Sequence, residues 1–375
     1  MFSSAFLHAP PPTVLFGSFR LSPSSPATNS SKVNCNIRLS MAASVRIVVV
    51  GDVHDDWNLQ EDSKALELLQ IWCYLQAGDF GNENVELVRS IAALKIAKAA
   101  ILGNHDAWNT QNFSEKRKDA VQLQLESFGE EHVGYQRLDF RSLKLSVLGG
   151  RPFSCGGERF FRKPLLAKRY GVHNMSESAK RIYEASVGTP KDHSIILLAH
   201  NGPTGLGSNL NDICGKDWVR EGGDHGDPDL ALALSQLKGN TEYSVPLVVF
   251  GHMHKELAFG NGPRKMIVVG DDNTIYLNGA IVPRVKRFCD KQESHSSSST
   301  TSTPTLTPNS QGTLRAFTLI QSKGGKLEKI TETWVSVIGD NTTIEEEQIL
   351  YTNNVLTTSH MYRRDDYNGA VFKYG

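Results

Sequence analysis

Five short polar blocks each come directly after a run of apolar residues in this 375-residue chain. The blocks are Gly51-Asp52-Val53-His54, Gly78-Asp79-Phe80-Gly81-Asn82, Gly103-Asn104-His105-Asp106, His200-Asn201-Gly202-Pro203 and Gly251-His252-Met253-His254. Aspartate, asparagine and histidine together suit divalent metals such as Mn, Fe or Zn. Two metals held about 3.5–4 Å apart need a ligand that touches both, and a carboxylate does this well. The blocks therefore favour a metal centre, with Asp79 as the best candidate for a bridging ligand.

Each block alone is a weak signal. An isolated Asp-x-His is common by chance, and a histidine after a strand is more often a hydrogen-bonded structural residue than a ligand. Gly-His-x-His is more informative because it offers two imidazoles on one turn. The five blocks together indicate a functional site more strongly than any one of them. Their spacing adds to this, because intervals of 27 residues (Asp52 to Asp79) and 25 residues (Asp79 to Asn104) fit single βα units.

The apolar runs predict strands that would position these blocks. Strands at Val45–Val50, Trp72–Gln76 and Ala99–Leu102 alternate with helical patterns at Asp62–Leu69 and Val85–Lys95. This βαβαβ order implies parallel strands with right-handed crossovers. Further strands are predicted at Leu143–Leu148, Ser194–Ala199, Leu247–Phe250, Met266–Val269, Thr274–Leu277, Leu314–Ile320 and Ile330–Val337, with helices at Lys116–Phe128, Glu177–Ala185 and Leu230–Leu237. The carboxyl ends of parallel strands form a ligand crevice, so distant blocks can converge there.

As a set, the five blocks resemble the calcineurin-like metallophosphoesterase superfamily. Its pattern is D-x-H, G-D-x-x, G-N-H-D/E, a lone H and G-H-x-H, and the match spans roughly residues 46 to 280. The chain is similar to a plant and cyanobacterial branch of that superfamily. The resemblance implies an α/β fold, a four-layer α/β/β/α sandwich of two mixed sheets. It also implies a metal-dependent phosphoric ester hydrolase with a phosphoester substrate and two bound metal ions (Mn, Fe or Zn).

The resemblance also implies a role for each residue of the blocks. One ion would be held by Asp52, His54, Asp79 and His254, and the other by Asp79, Asn104, His200 and His252. A hydroxide bridging the two ions would attack phosphorus. His105 would donate a proton to the leaving group, and Asp106 would orient His105.

Two departures from the superfamily pattern narrow the reaction. The second block lacks the G-D-x-x-D-R-G of the Ser/Thr protein phosphatases, which disfavours protein phosphatase activity. The fourth block lacks the commoner H-x-P-P but keeps its histidine. A phosphodiesterase or nuclease using the same site, or a metal-binding scaffold without catalysis, remain alternatives. Substrate contacts are predicted at Arg151, Arg220 and His225.

Composition excludes several other classes of protein. The chain has 40 Lys+Arg and 40 Asp+Glu, and this zero balance does not indicate nucleic-acid binding. No apolar run approaches the roughly 18 residues of a membrane span, so no membrane association is expected. Five cysteines without a C-x-x-C disfavour a disulfide framework or a cysteine zinc site. The oligomeric state is not predicted.

The charges are unevenly distributed along the chain. Residues 1–44 contain three basic residues and no acidic ones, which leaves 37 basic and 40 acidic residues beyond them. This Ser-rich segment is typical of a disordered transit peptide, and its prolines favour the chloroplast stroma over the mitochondrion. The alternatives are an ordinary tail or a start at Met41. The catalytic domain is predicted at 45–350, with a disordered Ser/Thr-rich insertion at 291–312 and a tail at 351–375.

Overall fold

The computed structural model describes residues 44–240, 242–260, 262–288 and 312–353. All but Ser44 of the predicted leader, all but Gly312 of the predicted insertion, and residues 354–375 lie outside the described residues. No helix among the described residues combines the length and apolar character needed to cross a membrane.

The described residues form two mixed sheets with helices between the strands. The strands are β1 Val45–Val50, β2 Cys73–Gln76, β3 Ala97–Ala100, β4 Arg137–Phe140, β5 Leu145–Gly149, β6 Ser194–Leu198, β7 Leu247–Phe250, β8 Ile267–Val269, β9 Ile275–Asn278, β10 Val285–Arg287, β11 Thr313–Lys323, β12 Lys326–Ile338 and β13 Asn341–Thr352. The helices are α1 Leu59–Leu69, α2 Val85–Ala92, α3 Ala120–Phe128, α4 Lys163–Tyr170, α5 Met175–Ser186 and α6 Pro228–Gly239.

Each sheet has a parallel core extended by antiparallel strands. The first sheet has the order β13-β12-β11-β1-β2-β3, with β10 beside β11, and β1, β2 and β3 are parallel. The second sheet has the order β4-β5-β6-β7-β9-β8, with β5, β6, β7 and β9 parallel. The predicted βαβαβ order of the first sheet is therefore confirmed.

Strand β1 illustrates how the layers form. Alternate side chains of a strand point to opposite faces of the sheet. Ile47 and Val49 join an apolar cluster that contains strand residues of both sheets and no residue of the six α-helices, so this cluster fills the space between the sheets. Val48 and Val50 join the other cluster, which contains Leu66 of α1. A strand buried on both faces reads as a continuous apolar run, which is why β1 was predictable.

The second sheet repeats the alternation. In β6, Ile196 and Leu198 belong to the cluster between the sheets, whereas Ile195 and Leu197 share the outer cluster with Ile182 of α5. Helices thus cover the outer faces, and the predicted α/β/β/α sandwich of two mixed sheets is confirmed.

Some elements were not predicted, because tertiary contacts rather than apolar patterning define them. Strand β13 has three consecutive glutamates and largely exposed side chains, but it pairs along its length with β12. It continues through Thr352, so the predicted domain end at residue 350 is two residues short. Strand β4 is a short, half-buried edge, and α4, which begins beside Pro164, lies in a segment for which the sequence predicted no element.

Candidate metal centre

The five predicted blocks meet at one end of the two sheets. The blocks after β1, β2 and β3 come from the first sheet, and those after β6 and β7 come from the second. Two distances across the sheets show this convergence. Asp52 Oδ2 lies 3.2 Å from His254 Nε2, and Asp79 Oδ1 lies 3.4 Å from His200 Nε2. The carboxyl ends of the parallel strands therefore form a shared crevice, as expected for this class of fold.

One group of potential ligand atoms is formed by Asp52, His54 and His254. Their ligand atoms all lie within 4.8 Å of one another. The Nε2 atoms of His54 and His254 are 3.0 Å apart, and His54 Nε2 is 3.7 Å from Asp52 Oδ2. A carboxylate and two imidazoles that converge in this way are a suitable ligand set for Zn, Fe or Mn.

A second group is formed by Asp79, His200 and His252, whose ligand atoms also lie within 4.8 Å of one another. Asn104 completes it, because its Oδ1 lies 3.0 Å from His200 Nε2. The other ring nitrogen of His200 donates to the carbonyl of Ala77 at 2.7 Å. This hydrogen bond fixes the imidazole so that Nε2 points towards the group.

The carboxylate of Asp79 lies between the two groups. Its Oδ1 is 3.4 Å from His200 Nε2 in the second group, and its Oδ2 is 4.0 Å from His54 Nε2 in the first. Each oxygen thus faces a different group of histidines. This is the arrangement expected of a carboxylate that bridges two ions.

The hydrogen bonding of the Asp52 carboxylate shows whether these residues suit a cation. Asp52 Oδ1 accepts the backbone N–H of His252 at 2.8 Å. Asp52 Oδ2 is buried and, among the described residues, has no hydrogen-bond partner, although two imidazole nitrogens lie near it. Leaving a buried carboxylate oxygen unpaired is costly unless a cation satisfies it. The site therefore fits a metal ion at this oxygen.

The backbone at the proposed ligands is strained. Asp52, His54, Asp79 and His252 all have positive φ, at 52°, 43°, 52° and 66° respectively. Residues other than glycine rarely adopt this backbone conformation, which costs about 1–3 kcal/mol for each residue. Hydrogen bonds between the loops hold it in place, since Asp52 N–H donates to Gly78 O and His54 N–H donates to Asp79 O.

The glycines in the blocks are required because ligand side chains pack directly against them. A Cβ at Gly78 would lie 2.5 Å from His200 Nδ1, and one at Gly103 would lie 2.2 Å from Asp79 Oδ1. A Cβ at Gly251 would lie 2.3 Å from Asp52 Oδ1. The glycine in each of these three motifs thus makes room for a ligand supplied by a different block.

The two carboxylates are held in their charged form. Burial alone would raise the pKa of Asp52, but its polar contacts with His254 and His54 outweigh burial and hold the pKa well below the usual range. Burial likewise opposes ionisation of Asp79, and the charge of His200 outweighs it and lowers the pKa. Both side chains therefore offer negative charge to a cation at neutral pH.

The histidines differ in protonation. Burial would lower the pKa of His200, but the charge of Asp79 outweighs it and raises the pKa to about 10. Burial lowers the pKa of His252 to about 3, with a further contribution from the charge of His200. A metal ion binds neutral imidazole. Without a metal, His252 is ready to bind, whereas His200 must first lose its proton.

His105 stands beside the metal-binding residues. Its ring packs edge-on against His54, with centroids 4.9 Å apart, and stacks on Trp108 at 4.7 Å. Its Nδ1 donates to Asn82 Oδ1 at 2.7 Å, so Nε2 remains available to a substrate. Burial lowers the pKa of this imidazole. Asn82 was present in the second block, but sequence reasoning assigned it no role.

The predicted role of Asp106 is wrong. Its carboxylate does not hydrogen-bond the His105 ring; it accepts the backbone N–H groups of Asp79, Phe80 and Gly103 at 2.9, 2.9 and 2.7 Å. Asp106 therefore joins the loops after β2 and β3. The residue that orients the His105 ring is Asn82 instead of Asp106. Burial and the nearby charge of Asp79 raise the pKa of Asp106 well above its usual value.

The three predicted substrate contacts fall in different places. Arg151 is 2 % exposed and forms ion pairs with Asp227 and Asp229 at 3.0 and 2.8 Å, so it is a buried structural residue rather than a phosphate contact. Arg220 is exposed and does not line the cleft at the metal centre. His225 does line it, and its ring stacks on His252 with centroids 5.7 Å apart.

The cleft at the metal centre has a volume of about 1000 Å³. Five of its lining residues form what we call the outer wall, and they are Trp108, Arg159, Phe161, Arg162 and Trp218. The arginines flank consecutive phenylalanines in Arg159-Phe160-Phe161-Arg162, a signal that patterning alone could not connect to the site.

Comparison with known proteins relates the chain to one family. A sequence profile of the calcineurin-like phosphoesterase family matches residues 45–256, more than half of the chain. No curated protein matches. Among solved structures, GAP50, the anchor in the inner membrane complex of Plasmodium, is 12 % identical over 83 % of this chain and 90 % of its own, with a TM-score of 0.37. Phosphopantetheinyl hydrolase (PptH) from Mycobacterium tuberculosis is 13 % identical over 63 % of this chain and 89 % of its own, with a TM-score of 0.35.

Proposed function

The chain belongs to the calcineurin-like phosphoesterase family, and from that premise we propose that it is a binuclear metal-dependent hydrolase that cleaves a phosphoester with water. The observation that carries the proposal is the position of Asp79, whose two oxygens face different groups of histidines. Two such groups around one carboxylate support a paired site over a single structural one.

The two ions would be held by the residues of the two groups. Asp52, His54 and His254 would bind one ion, Asn104, His200 and His252 would bind the other, and Asp79 would bind both. Bound divalent ions, with Mn, Fe and Zn all compatible with this ligand set, supply positive charge that acidifies water and stabilises the phosphoryl oxygens.

The side chains of the protein itself would manage the proton. In hydrolysis the water oxygen forms a bond to phosphorus, the ester P–O bond breaks, and the departing oxygen gains a proton. His105 lies beside His54 and presents Nε2, because Nδ1–H is bound to Asn82. A protonated His105 would donate from Nε2 to the departing oxygen, as a general acid does.

A direct test is hydrolysis of a panel of phosphomonoesters and phosphodiesters by the full chain with Mn, Fe, Zn or Mg, together with measurement of bound metal. Asp79→Asn should abolish turnover and lower metal content, because one carboxylate oxygen is replaced by an amide. Asp271→Asn, at an exposed turn, is the matched control and should retain both. Unchanged turnover in the Asp79 variant would refute the proposal.

The same panel separates the alternatives. A preference for diesters would identify a phosphodiesterase or nuclease using the same residues. Two bound metals with no hydrolysis of any ester, under any of the four metals, would favour a metal-binding scaffold.

We further propose that the protein acts in the chloroplast stroma after removal of a transit peptide. The support is the sequence of residues 1–44, which is rich in serine and free of acidic residues. Residues 1–44 fused to a fluorescent protein should direct it to chloroplasts. Mitochondrial import, or no import, would overturn this proposal without affecting the proposed reaction.

A further inference from the structure

Stacked rings extend outwards from the metal centre on two sides. On one side the Trp108 indole stacks nearly parallel on His105, with centroids 4.7 Å apart and planes at 9°. On the other side His225 stacks on His252, and Trp218 packs edge-on against His225 at 4.7 Å. Each series ends at a tryptophan, and both tryptophans line the same cleft.

Both tryptophans keep a large part of their surface open. Trp108 is 50 % exposed and Trp218 is 45 % exposed. The backbone at Trp108 is fixed, because Arg162 donates to Ala107 O at 2.6 Å and to Trp108 O. An indole that is fixed and half exposed beside a reaction centre is suited to stacking against a planar ring of a ligand.

Arg159 is a cation in the same cleft that has no acidic partner among the residues the structure describes. Arg162 is engaged by backbone carbonyls, and Arg264 by Asp217 at 3.2 Å. Within the described part of the chain, Arg159 has no ion pair; its guanidinium lies 5.2 Å from the centre of the Phe161 ring. A guanidinium held on an aromatic face, with its donors free, is well suited to bind phosphate.

The cleft is much larger than a phosphoryl group requires. Its volume of about 1000 Å³ is at the upper end of the range for small-ligand pockets. Besides the metal centre it offers two indole surfaces and one unpaired cation. A sugar phosphate would leave the indoles unused, and a phosphomonoester with one anionic group would leave Arg159 unused.

We propose that the substrate is a nucleotide with two separate phosphate groups, of the nucleoside bisphosphate class. This proposal rests on the proposed hydrolytic function. One phosphate occupies the metal centre, the base stacks on the tryptophans of the outer wall, and the second phosphate binds Arg159. Stacking on indole tolerates any base, so the geometry defines the class and leaves the base open.

The reaction balances without a further co-reactant. Water and a nucleoside bisphosphate give a nucleoside monophosphate and inorganic phosphate. The ester P–O bond at the metal centre breaks, the water oxygen bonds to phosphorus, and the released ribose oxygen takes up one proton. The phosphate on Arg159 is unchanged and leaves with the nucleoside.

The test compares substrates that differ by one group. The full chain with Mn²⁺ is assayed on adenosine 3′,5′-bisphosphate, on 3′-AMP and 5′-AMP, and on ribose 5-phosphate. We expect kcat/KM to rise by about five- to a hundredfold when the base is added, as is usual for stacking of a base on an aromatic side chain. A similar rise is expected with the second phosphate, as for a charge-assisted hydrogen bond.

Variants connect each preference to a residue. Arg159→Ala should reduce the ratio of kcat/KM for bisphosphate over monophosphate to near one, and Arg159→Lys should restore part of it. Trp218→Ala should reduce the preference for nucleotides over ribose 5-phosphate, and Trp218→Phe should retain part. Arg181→Ala, on an exposed part of α5, is the matched control and should keep both ratios. Thermal melting checks that each variant is folded.

A binding measurement separates this inference from the proposed function. Quenching of tryptophan fluorescence by adenosine 3′,5′-bisphosphate, tighter than by 5′-AMP and weakened by Arg159→Ala, would support the ligand class even without turnover. Hydrolysis of all the esters with equal kcat/KM would overturn the inference and leave the proposed function intact. A preference for a phosphoserine peptide over every nucleotide would also overturn it and would indicate a protein substrate.

Discussion

Asp52, Asp79 and His200 are at most 1 % exposed, whereas Trp108 and Trp218 on the outer wall of the same site are 50 % and 45 % exposed. The buried residues lie just beyond the ends of strands, and the backbone of Asp52 and Asp79 is held in a strained conformation by hydrogen bonds between the loops. The exposed residues lie further along those loops and pack mainly on other rings. On the proposed function, the rigid strand ends would hold the metal, and the segments that extend beyond them would recognise the ester.

This contrast has a physical reason. Two ions about 3.5–4 Å apart tolerate little movement of their ligands, so the ligands must be positioned by the framework of the sheets. A stacking surface tolerates a shift along the ring plane and can be carried by loops. Substitutions near the strand ends should therefore affect metal content and turnover together, and substitutions on the outer wall should affect mainly the choice of substrate.

The largest effect is expected at Gly103. In Gly103→Ala the new Cβ would lie 2.2 Å from Asp79 Oδ1 and 2.5 Å from His200 Cε1. The Asp79 carboxylate and the His200 imidazole must therefore both move. We expect turnover to fall by about a hundredfold or more, as when a catalytic framework is displaced by about 1 Å, with loss of bound metal measured by mass spectrometry.

Gly239→Ala is the matched control for that substitution. Gly239 ends α6, and a Cβ there meets no atom within 4 Å. It should preserve turnover and increase the melting temperature slightly, because alanine favours helix. Equal turnover in the two variants would show that the strand ends are not as rigid as the contrast requires.

A smaller effect is expected at Asn82, which lies at the metal centre without being a proposed ligand. Asn82→Ala removes the hydrogen bond that orients His105. Loss of such an orienting partner typically costs about 10–100-fold. We expect this loss in kcat with unchanged metal content, and partial rescue by Asn82→Asp, which restores an acceptor. A parallel loss of metal would instead place Asn82 among the residues that support the ligands.

The strand ends were also the part of the site that sequence could reveal. Apolar runs such as Val45–Val50 are buried on both faces, and a polar residue directly after such a run is conspicuous. The glycines before Asp79 and Asn104 were part of the same pattern, although their steric reason became visible only in three dimensions.

Other features depended on contacts between distant segments. Arg151 and Arg159 both follow the end of β5, and nothing local distinguishes the one that forms buried ion pairs from the one that remains free. The partners of Arg151 lie more than 70 residues away. Likewise Asp106 is adjacent to His105 in sequence, but its carboxylate is directed to the backbone of the preceding loop, and Asn82 contacts the ring instead.

The free energy of unfolding should depend on pH through His132, which lies next to the strand end before the third block. This buried imidazole accepts the backbone N–H of Leu102 at 3.3 Å, immediately before the third block, and burial lowers its pKa from 6.5 to about 3. Because the unfolded state binds a proton below pH 6.5 and the folded state does not, His132 contributes stability above pH 6.5 that is lost progressively as pH falls towards 3.

Unfolding in urea at several pH values measures this contribution. The free energy of unfolding should fall by up to about 1.4 kcal/mol per pH unit through His132 between pH 6 and 4. In His132→Gln, an amide oxygen can replace the acceptor but does not titrate. The change in the free energy of unfolding per pH unit should therefore be smaller by that amount. Identical slopes in the two proteins would mean that His132 is accessible to protons when folded.

The smallest effect is expected at Arg220, which lies on the same loop as Trp218 but is exposed and does not line the cleft. Surface charges of this kind act on a ligand only through solvent, where salt screens them beyond about 8–10 Å. Arg220→Ala should therefore change kcat/KM for a phosphoester by less than about twofold at 0.15 M salt. A much larger loss, unaccompanied by a change in metal content, would mean that the loop closes over the substrate and brings Arg220 to it. The outer wall would then be a moving element, and its contrast with the strand ends would be one of mobility as well as of exposure.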